Sequence, residues 1–269
     1  MKNDNNLNKN GFIIVRNLLT KEQVTKFSNI INSITRERKS NRVDDLYNFE
    51  DTWEYICNDK LLNVLKEEIS EDIFYMHDSG ISNFDSDYHG SDKNKISWHR
   101  DTDTAPRIKD VVPYYQKSDF YNVFTAITYV SPDNKGGTLN IIPKSHNKKF
   151  RLSIKNFLRI FHWKTKNKKI YYLIRDIIEK LIGVECKVNS GDCIIFCTTL
   201  FHKVVGSNFK RQAIVARYAP RSENSDNYLN YVLKHSSNKE RIGYDENESN
   251  REKIKSFFNL LKKHNIYYE

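Results

Sequence analysis

Hydrophobic positions recur with helical spacing in the first quarter of the chain. Residues 11–16 are apolar enough for a short strand, and residues 20–23 (Thr-Lys-Glu-Gln) match a helix-capping box. Apolar residues then repeat at helical spacing over 24–34 and again over 61–69, which predicts two amphipathic helices. The charged stretch 37–51 between them is a predicted loop.

The pattern changes to short strands in the middle of the chain. Runs rich in β-branched and aromatic residues alternate with turn sequences, and the polar stretch 79–95 is a predicted loop. The predicted strands cover residues 73–77, 96–104, 120–130, 136–142, 184–188, 193–196 and 211–218. Short strands between turns, flanked by helices, predict a mainly β fold in which helices pack on a closed antiparallel core.

The composition is that of a single intracellular domain. The 269 residues are 38% hydrophobic, which is enough for a sizeable core, and one domain is predicted over 1–269. The four cysteines form no C-x-x-C pair, so reduced and mostly buried thiols are expected. The first residues lack the apolar core of a signal peptide, and no apolar run is long enough to span a bilayer. A cytoplasmic protein without membrane contact is therefore expected.

Basic residues are concentrated in one segment, a predicted helical insertion over 147–182. Residues 144–182 hold 12 Lys and Arg against two acidic residues, while the whole chain carries a net charge of +10. One hypothesis is a basic lid that attracts an anionic substrate, and the other is a solvated basic surface. Nucleic acid binding is not expected, since no nucleic-acid-recognition motif with aromatic residues accompanies the positive charge. A C-terminal extension over 222–269 is predicted to end in a helix.

The candidate chemistry begins with His99 and Asp101, the only His-x-Asp pair in the chain. Residues two apart on a strand face the same way, so the imidazole and the carboxylate can bind one cation. A third ligand from a distant histidine would complete a two-His-one-carboxylate triad, which leaves open positions on Fe(II). Taken alone, the pair is equally consistent with a surface turn.

Three further motifs follow this pair in order. They are Gly-Gly-Thr-Leu at 136–139, Ile-Pro-Lys-Ser-His at 142–146, and Gly-Asp-x-x-x-Phe at 191–196 leading to His202, Asn208 and Arg211. In this combination, residues 11–219 resemble the phytanoyl-CoA dioxygenase family. The resemblance implies a jelly-roll core, also called a double-stranded β-helix, and an Fe(II)/2-oxoglutarate-dependent oxygenase that uses O2.

The resemblance also implies metal ligands and a reaction. His99, Asp101 and His202 match the family's iron ligands, and two neutral imidazoles with one carboxylate would hold Fe(II) on one face. Relatives that halogenate lack the carboxylate, so Asp101 implies hydroxylation or another oxidation. The predicted function is hydroxylation of a small metabolite, anionic or carrier-linked, with no catalytic side chain beyond the metal centre. The sequence leaves the substrate and the oligomeric state open.

Contacts to 2-oxoglutarate are implied as well. Arg211 matches the family's arginine for the distal carboxylate, which a guanidinium binds as a planar, bidentate partner. Arg217 lies on the same strand face and is the rival for that role. Asn122 and Thr138 match positions near the cosubstrate, although ordinary strand packing accounts for both equally well. His202 and Arg211 flank a turn, so they are expected to face one pocket from paired strands.

Two other classes of function stay open at this point. A jelly-roll binding module without catalysis would be marked by the loss of a metal ligand, and all three ligands are in the sequence. A structural zinc site is the second alternative, because histidine and carboxylate bind Zn(II) as well.

Overall fold

The strands and helices of the chain are seen in a computed structural model that describes residues 7–44, 46–84, 101, 123–131, 135–147, 177, 181–205, 210–222 and 248–267. Its helices include α1 (Leu7–Asn10), α2 (Lys21–Glu37), α3 (Trp53–Ile56), α4 (Asp59–Glu68) and α5 (Glu248–Lys263). Its strands are β1 (Phe12–Val15), β2 (Arg42–Asp44), β3 (Ile73–Phe84), β4 (Phe124–Tyr129), β5 (Gly137–Ile141), β6 (Val184–Val188), β7 (Cys193–Cys197), β8 (His202–Val204) and β9 (Arg211–Pro220).

These strands form two antiparallel sheets that pack face to face. The larger sheet has the order β1-β7-β4-β9-β3-β2, and the smaller has the order β6-β5-β8. The sheets touch directly, because the ring of Tyr129 on β4 fills the space that a Cβ on Gly137 of β5 would need. The arrangement confirms the prediction of a mainly β, jelly-roll core with flanking helices.

Helices cover the outer face of the large sheet. The predicted capping box starts α2, since Oγ1 of Thr20 accepts from the N–H of Gln23 and the Gln23 side chain accepts from the N–H of Thr20. Gln212 on β9 is fully buried under this helix, where its side chain accepts a hydrogen bond from Ser28 at 2.6 Å and donates one to Asn32 at 2.9 Å. These buried polar contacts fix α2 against the sheet.

Alternation along β9 separates the helix-covered face from the interior. Gln212 and Tyr218 face the helices, and the Tyr218 hydroxyl donates to the carbonyl of Ile56 at 2.7 Å. The odd-numbered residues, Arg211 and Arg217 among them, therefore face the small sheet. The space between the sheets is the place where the predicted site residues of β8 and β9 can meet.

The structure corrects two predicted loops. Residues 79–84 are part of β3, which pairs with β9 on one edge and β2 on the other after a register shift between Tyr75 and Ser79. Backbone hydrogen bonds on both edges hold this polar, glycine-containing segment as a strand, so local composition misled the prediction. The stretch 37–51 likewise contains the strand β2 and two short 3-10 turns at 46–48 and 50–52.

The four cysteines belong to the core and form no disulfide. Cys57, Cys186, Cys193 and Cys197 are all free and buried, as predicted. Burial raises the pKa of Cys193 to about 12, which keeps this thiol protonated and unreactive at neutral pH. Among the helices described here, none combines the length and the hydropathy that a membrane crossing requires.

Candidate metal and 2-oxoglutarate site

Asp101 and His202 lie next to each other between the two sheets. The backbone fixes Asp101, since its N–H donates to the carbonyl of Thr198, just past the end of β7, at 3.1 Å. His202 is the first residue of β8 and pairs with Ile141 on β5. The two side chains are 4% and 17% exposed for His202 and Asp101, and Nε2 of the imidazole is 3.4 Å from Oδ1 of the carboxylate.

The orientation of the His202 ring determines what can lie between these two atoms. Its Nδ1 is 2.9 Å from the carbonyl of Leu200, which can only accept, so Nδ1 carries a hydrogen. In the neutral ring, Nε2 then presents its lone pair to the Asp101 carboxylate, which is also an acceptor. Two acceptors at this distance are stabilised by a cation, either a metal ion or a proton on the ring. Ligand atoms about 2.1 Å from one ion and at right angles are about 3 Å apart, so the pair fits a metal site.

The second carboxylate oxygen of Asp101 is held by β4 and β9. Oγ1 of Thr125 donates to Oδ2 at 2.9 Å, and Nη2 of Arg217 donates to the same oxygen at 3.1 Å. Burial alone would raise the pKa of Asp101, but the neighbouring groups outweigh it, and the positive charge of Arg217 is the largest of their contributions. The pKa of Asp101 is therefore held far below its usual range, and the side chain is ionised at neutral pH, as a metal ligand must be.

Arg211 presents a buried guanidinium at the start of β9. The residue is 9% exposed, its Nη1 donates to the carbonyl of Val205 at 3.1 Å, and its guanidinium carbon is 5.5 Å from the centre of the Phe84 ring. No carboxylate of the described residues pairs with it. A buried positive charge is costly without an anion, and a guanidinium offers five N–H donors. Arg211 is thus suited to bind the carboxylate of a ligand.

The Ile-Pro-Lys-Ser-His motif at 142–146 holds the segment that leads into His202. Oγ of the buried Ser145 accepts from the N–H of Phe201 at 2.8 Å and donates to the carbonyl of Ile142 at 2.6 Å. The residue immediately before the imidazole is therefore tied to a tight turn after β5. The motif fixes where β8 begins, and with it the position of the candidate ligand.

The phytanoyl-CoA dioxygenase (PhyH) family model matches residues 7–212, about three quarters of the chain. The chain belongs to this family. PhyH enzymes depend on Fe(II) and 2-oxoglutarate and use O2, so the cofactor prediction is confirmed, and this PhyH-family member is an Fe(II)/2-oxoglutarate-dependent enzyme. No curated protein sequence matches the chain.

Solved structures similar to this PhyH-family chain are distant in sequence. Apo HygX from Streptomyces hygroscopicus has a TM-score of 0.51 and 15% identity, over 80% of this chain and 83% of its own. The non-heme α-ketoglutarate-dependent epimerase SnoN from nogalamycin biosynthesis has a TM-score of 0.50 and 11% identity, over 86% of each chain. The nickel complex of the non-heme monooxygenase ThoJ has a TM-score of 0.51 and 10% identity, over 80% of this chain and 75% of its own. These similarities support the jelly-roll assignment.

The described structure leaves two of the predicted site residues of this PhyH-family chain untested and places a third away from His202. His99 and Asn122 lie outside the described residues. Thr138 pairs with Lys187 and lies three positions before Ile141, so its side chain is on the opposite face of the small sheet from that of Ile141 and His202. The geometry gives no support to Thr138 as a 2-oxoglutarate contact.

One geometric expectation is wrong: His202 and Arg211 do not lie on paired strands. β8 pairs with β5 in the small sheet, whereas β9 lies between β4 and β3 in the large sheet. The chain crosses from one sheet to the other between these residues, as jelly-roll connectivity requires. The imidazole and the guanidinium therefore approach the interior from opposite sheets.

Sequence reasoning missed two polar residues that face the same interior. Thr125 contacts Asp101 and is the direct partner of Arg217 in the β4–β9 ladder. Tyr129, four residues further along the same face, is buried; burial raises its pKa, and the positive charge of Arg211 opposes that rise. Period-two spacing in the predicted strand 120–130 put both residues on one face, but only the register between β4 and β9 identifies their partners.

Proposed function

We propose that this PhyH-family enzyme hydroxylates a small anionic or carrier-linked molecule at an iron centre held by His99, Asp101 and His202. The observation that carries the proposal is the pair of facing acceptors, Nε2 of His202 and Oδ1 of Asp101, 3.4 Å apart between the sheets. His99, two positions before Asp101 in the sequence, supplies the second imidazole. Two imidazoles and one carboxylate leave open positions on Fe(II) for the cosubstrate and O2.

Arg211 is proposed to bind the distal carboxylate of 2-oxoglutarate. The supporting observations are its burial and the N–H donors that no described carboxylate takes up. A dicarboxylate bound there would neutralise the buried charge through charge-assisted hydrogen bonds. Arg217, the rival from the sequence, already contacts Asp101.

When bound, Fe(II) with 2-oxoglutarate and O2 supplies the oxidation of a C–H bond, with succinate and CO2 as co-products. The side chains of this chain bind the metal and the cosubstrate, orient the metal ligands and shield the site from water. His202 keeps its Nδ1 hydrogen on the carbonyl of Leu200, which holds the ring in one tautomer. Leu139 and Ile141, both fully buried on the inner face of β5, exclude water from the space beside the ring.

The anionic character of the substrate is proposed from the insertion over 147–182. Its excess of Lys and Arg would raise the local concentration of a phosphate, carboxylate or CoA-linked substrate. The solvated-surface alternative predicts the same affinity for neutral and anionic forms of one substrate.

The proposed function is tested by anaerobic titration of the metal-free protein with Fe(II) and 2-oxoglutarate, followed by O2 and a panel of metabolites. A weak visible charge-transfer band and succinate formation are expected, and Asp101→Ala should abolish both. A structural zinc site or a binding module without catalysis would give neither. Mass analysis of the product separates hydroxylation, which adds an oxygen atom, from epimerisation, which leaves the mass unchanged.

A further inference from the structure

We infer that Thr125 and Arg217 form a positioning pair that turns the Asp101 carboxylate so that only Oδ1 is presented to the metal. The inference rests on the proposed function, since it concerns how one of its metal ligands is oriented. Neither residue is assigned to bind the iron or the cosubstrate.

Arg217 donates to Thr125, and both side chains donate to the same oxygen of Asp101. Nε of Arg217 donates to Oγ1 of Thr125 at 3.2 Å, so the hydroxyl oxygen is already an acceptor. The one hydroxyl hydrogen is then directed at Oδ2 of Asp101, 2.9 Å away. Nη2 of Arg217 donates to the same oxygen at 3.1 Å, which closes a triangle around Oδ2.

This triangle leaves the two carboxylate oxygens of Asp101 in different states. From the part of the chain that the structure describes, Oδ2 accepts hydrogen bonds from Thr125 and Arg217, the second of them charge-assisted, while Oδ1 faces Nε2 of His202 at 3.4 Å. A carboxylate that was free to turn could bind a metal through both oxygens and would occupy a position that the cosubstrate or O2 requires. By holding Oδ2 away, Thr125 and Arg217 favour ligation through one oxygen.

The pair is rigid because it is built into the middle of the large sheet. Thr125 on β4 and Arg217 on β9 are direct partners in the ladder, and both strands have neighbours on each side. Thr125 is 1% exposed, and the Arg217 and Asp101 side chains are 18% and 17% exposed. Hydrogen bonds to a metal ligand from such a fixed scaffold set the geometry of the ligand before the metal binds.

The test measures Co(II) binding to the metal-free protein without oxygen and without 2-oxoglutarate, followed by the visible d–d absorption. Thr125→Val keeps the branched shape and removes the hydroxyl. Arg217→Lys keeps the positive charge and removes the guanidinium group that donates to both Thr125 and Asp101. We expect each to raise the Kd for Co(II) by about 10-fold or more and to change the shape of the d–d band. Thr125→Ser, which restores the hydroxyl, should return both to near the wild-type values.

Arg221→Lys is the matched control, because it makes the same substitution in an arginine that pairs with a different aspartate, Asp72, at 2.8 Å. It should leave Co(II) binding unchanged. Wild-type Kd and band shape in both Thr125→Val and Arg217→Lys would overturn the inference. A second titration adds 2-oxoglutarate to the Co(II)-loaded protein, and a change confined to the Kd for 2-oxoglutarate would also overturn the inference, because it would make Arg217 a cosubstrate anchor. If the wild-type protein itself binds no Co(II), the proposed function fails. Wild-type Co(II) binding in the two variants contradicts only the positioning role, so the two failures are distinguishable.

Discussion

Arg211 and Arg217 extend from the same face of β9, but only Arg217 contacts the candidate metal ligand Asp101, with 3.1 Å between Nη2 and Oδ2. Arg211 instead donates to the carbonyl of Val205. Six residues along a strand separate their Cα atoms by about 20 Å, and the two guanidiniums have different partners, the carbonyl of Val205 and the carboxylate of Asp101. We therefore expect changes at Arg211 to alter the Kd for 2-oxoglutarate and changes at Arg217 to alter the Kd for Co(II).

The first prediction concerns Arg211→Gln. Removing the buried charge should raise the Kd for 2-oxoglutarate by about 10- to 100-fold, because a charge-assisted pair with a carboxylate is lost. The Kd for Co(II) without 2-oxoglutarate should stay near the wild-type value. Anaerobic calorimetry on the Co(II)-loaded protein measures both steps, and an unchanged affinity for 2-oxoglutarate would remove Arg211 from the site.

The sequence was sufficient for features that depend on local spacing. The capping box at Thr20 and Gln23 needs only the i, i+3 separation of its two members, and the structure contains it. The placement of Arg211 and Arg217 on one face needs only the period of two along a strand. Such features are written in a few adjacent residues, so no knowledge of the fold is required.

Features that depend on register between distant strands could not be predicted. Thr125 meets Arg217 only because β4 and β9 align at that register, and the two residues are 92 positions apart. The family resemblance implies a place near the cosubstrate for Thr138, but the pairing of β5 with β6 and β8 puts its side chain on the opposite face from His202. A shift of one residue along a strand reverses the face of every side chain, so spacing alone does not settle such contacts.

The second prediction concerns Ser145→Ala. The change removes the buried hydroxyl that accepts from the N–H of Phe201 and donates to the carbonyl of Ile142, so the free energy of unfolding should fall by about 1–3 kcal/mol. Looser anchoring of the residue before His202 should also weaken Co(II) binding. Ser40→Ala is the control, since that hydroxyl is exposed and bonds only to nearby backbone. Equal urea midpoints for the two variants would contradict the prediction.

The third prediction concerns Asp192, a buried carboxylate that joins the start of β7 to the segment between β1 and α2. Its Oδ1 accepts from the N–H of Asn17 at 2.8 Å, and its Oδ2 accepts from Nη1 of Arg16 at 2.7 Å and from the N–H of Asn189 at 2.9 Å. Burial alone would raise the pKa of Asp192, but these hydrogen bonds and the Arg16 charge lower it by more than burial raises it, so the net shift is downward. A lowered pKa in the folded state stabilises the protein above the unfolded pKa, and this stability is lost as the pH falls.

Asp192→Asn should therefore lower the free energy of unfolding by about 2 kcal/mol near pH 7. The gap between variant and wild type should narrow as the pH falls below about 4, where the carboxylate of the unfolded chain is protonated. Urea titrations across this range measure the gap. Asp72→Asn, at an exposed ion pair with Arg221, should cost less than about 1 kcal/mol. A gap for Asp192→Asn that does not change with pH would contradict the prediction, because it would show that the charge of Asp192 does not contribute to the free energy of unfolding.

The last prediction separates the basic insertion from the net charge of the whole chain. One variant replaces four of its lysines by serine: Lys164, Lys166, Lys168 and Lys169. A control variant removes the same charge elsewhere, at Lys21, Lys66, Lys255 and Lys263. If the insertion concentrates an anionic substrate, only the first variant should raise KM and flatten its dependence on salt, because screening acts over about 10 Å at 0.1 M ionic strength.

The control makes the outcome specific to the segment. Equal increases of KM in both variants would mean that the long-range field of the whole protein attracts the substrate, and no increase in either would make the insertion a solvated basic surface. Measuring a neutral analogue of the same substrate adds an internal reference, since its KM should not respond to salt in any variant. An increase of KM for the neutral analogue as well would indicate that the four lysines support the shape of the pocket rather than its charge.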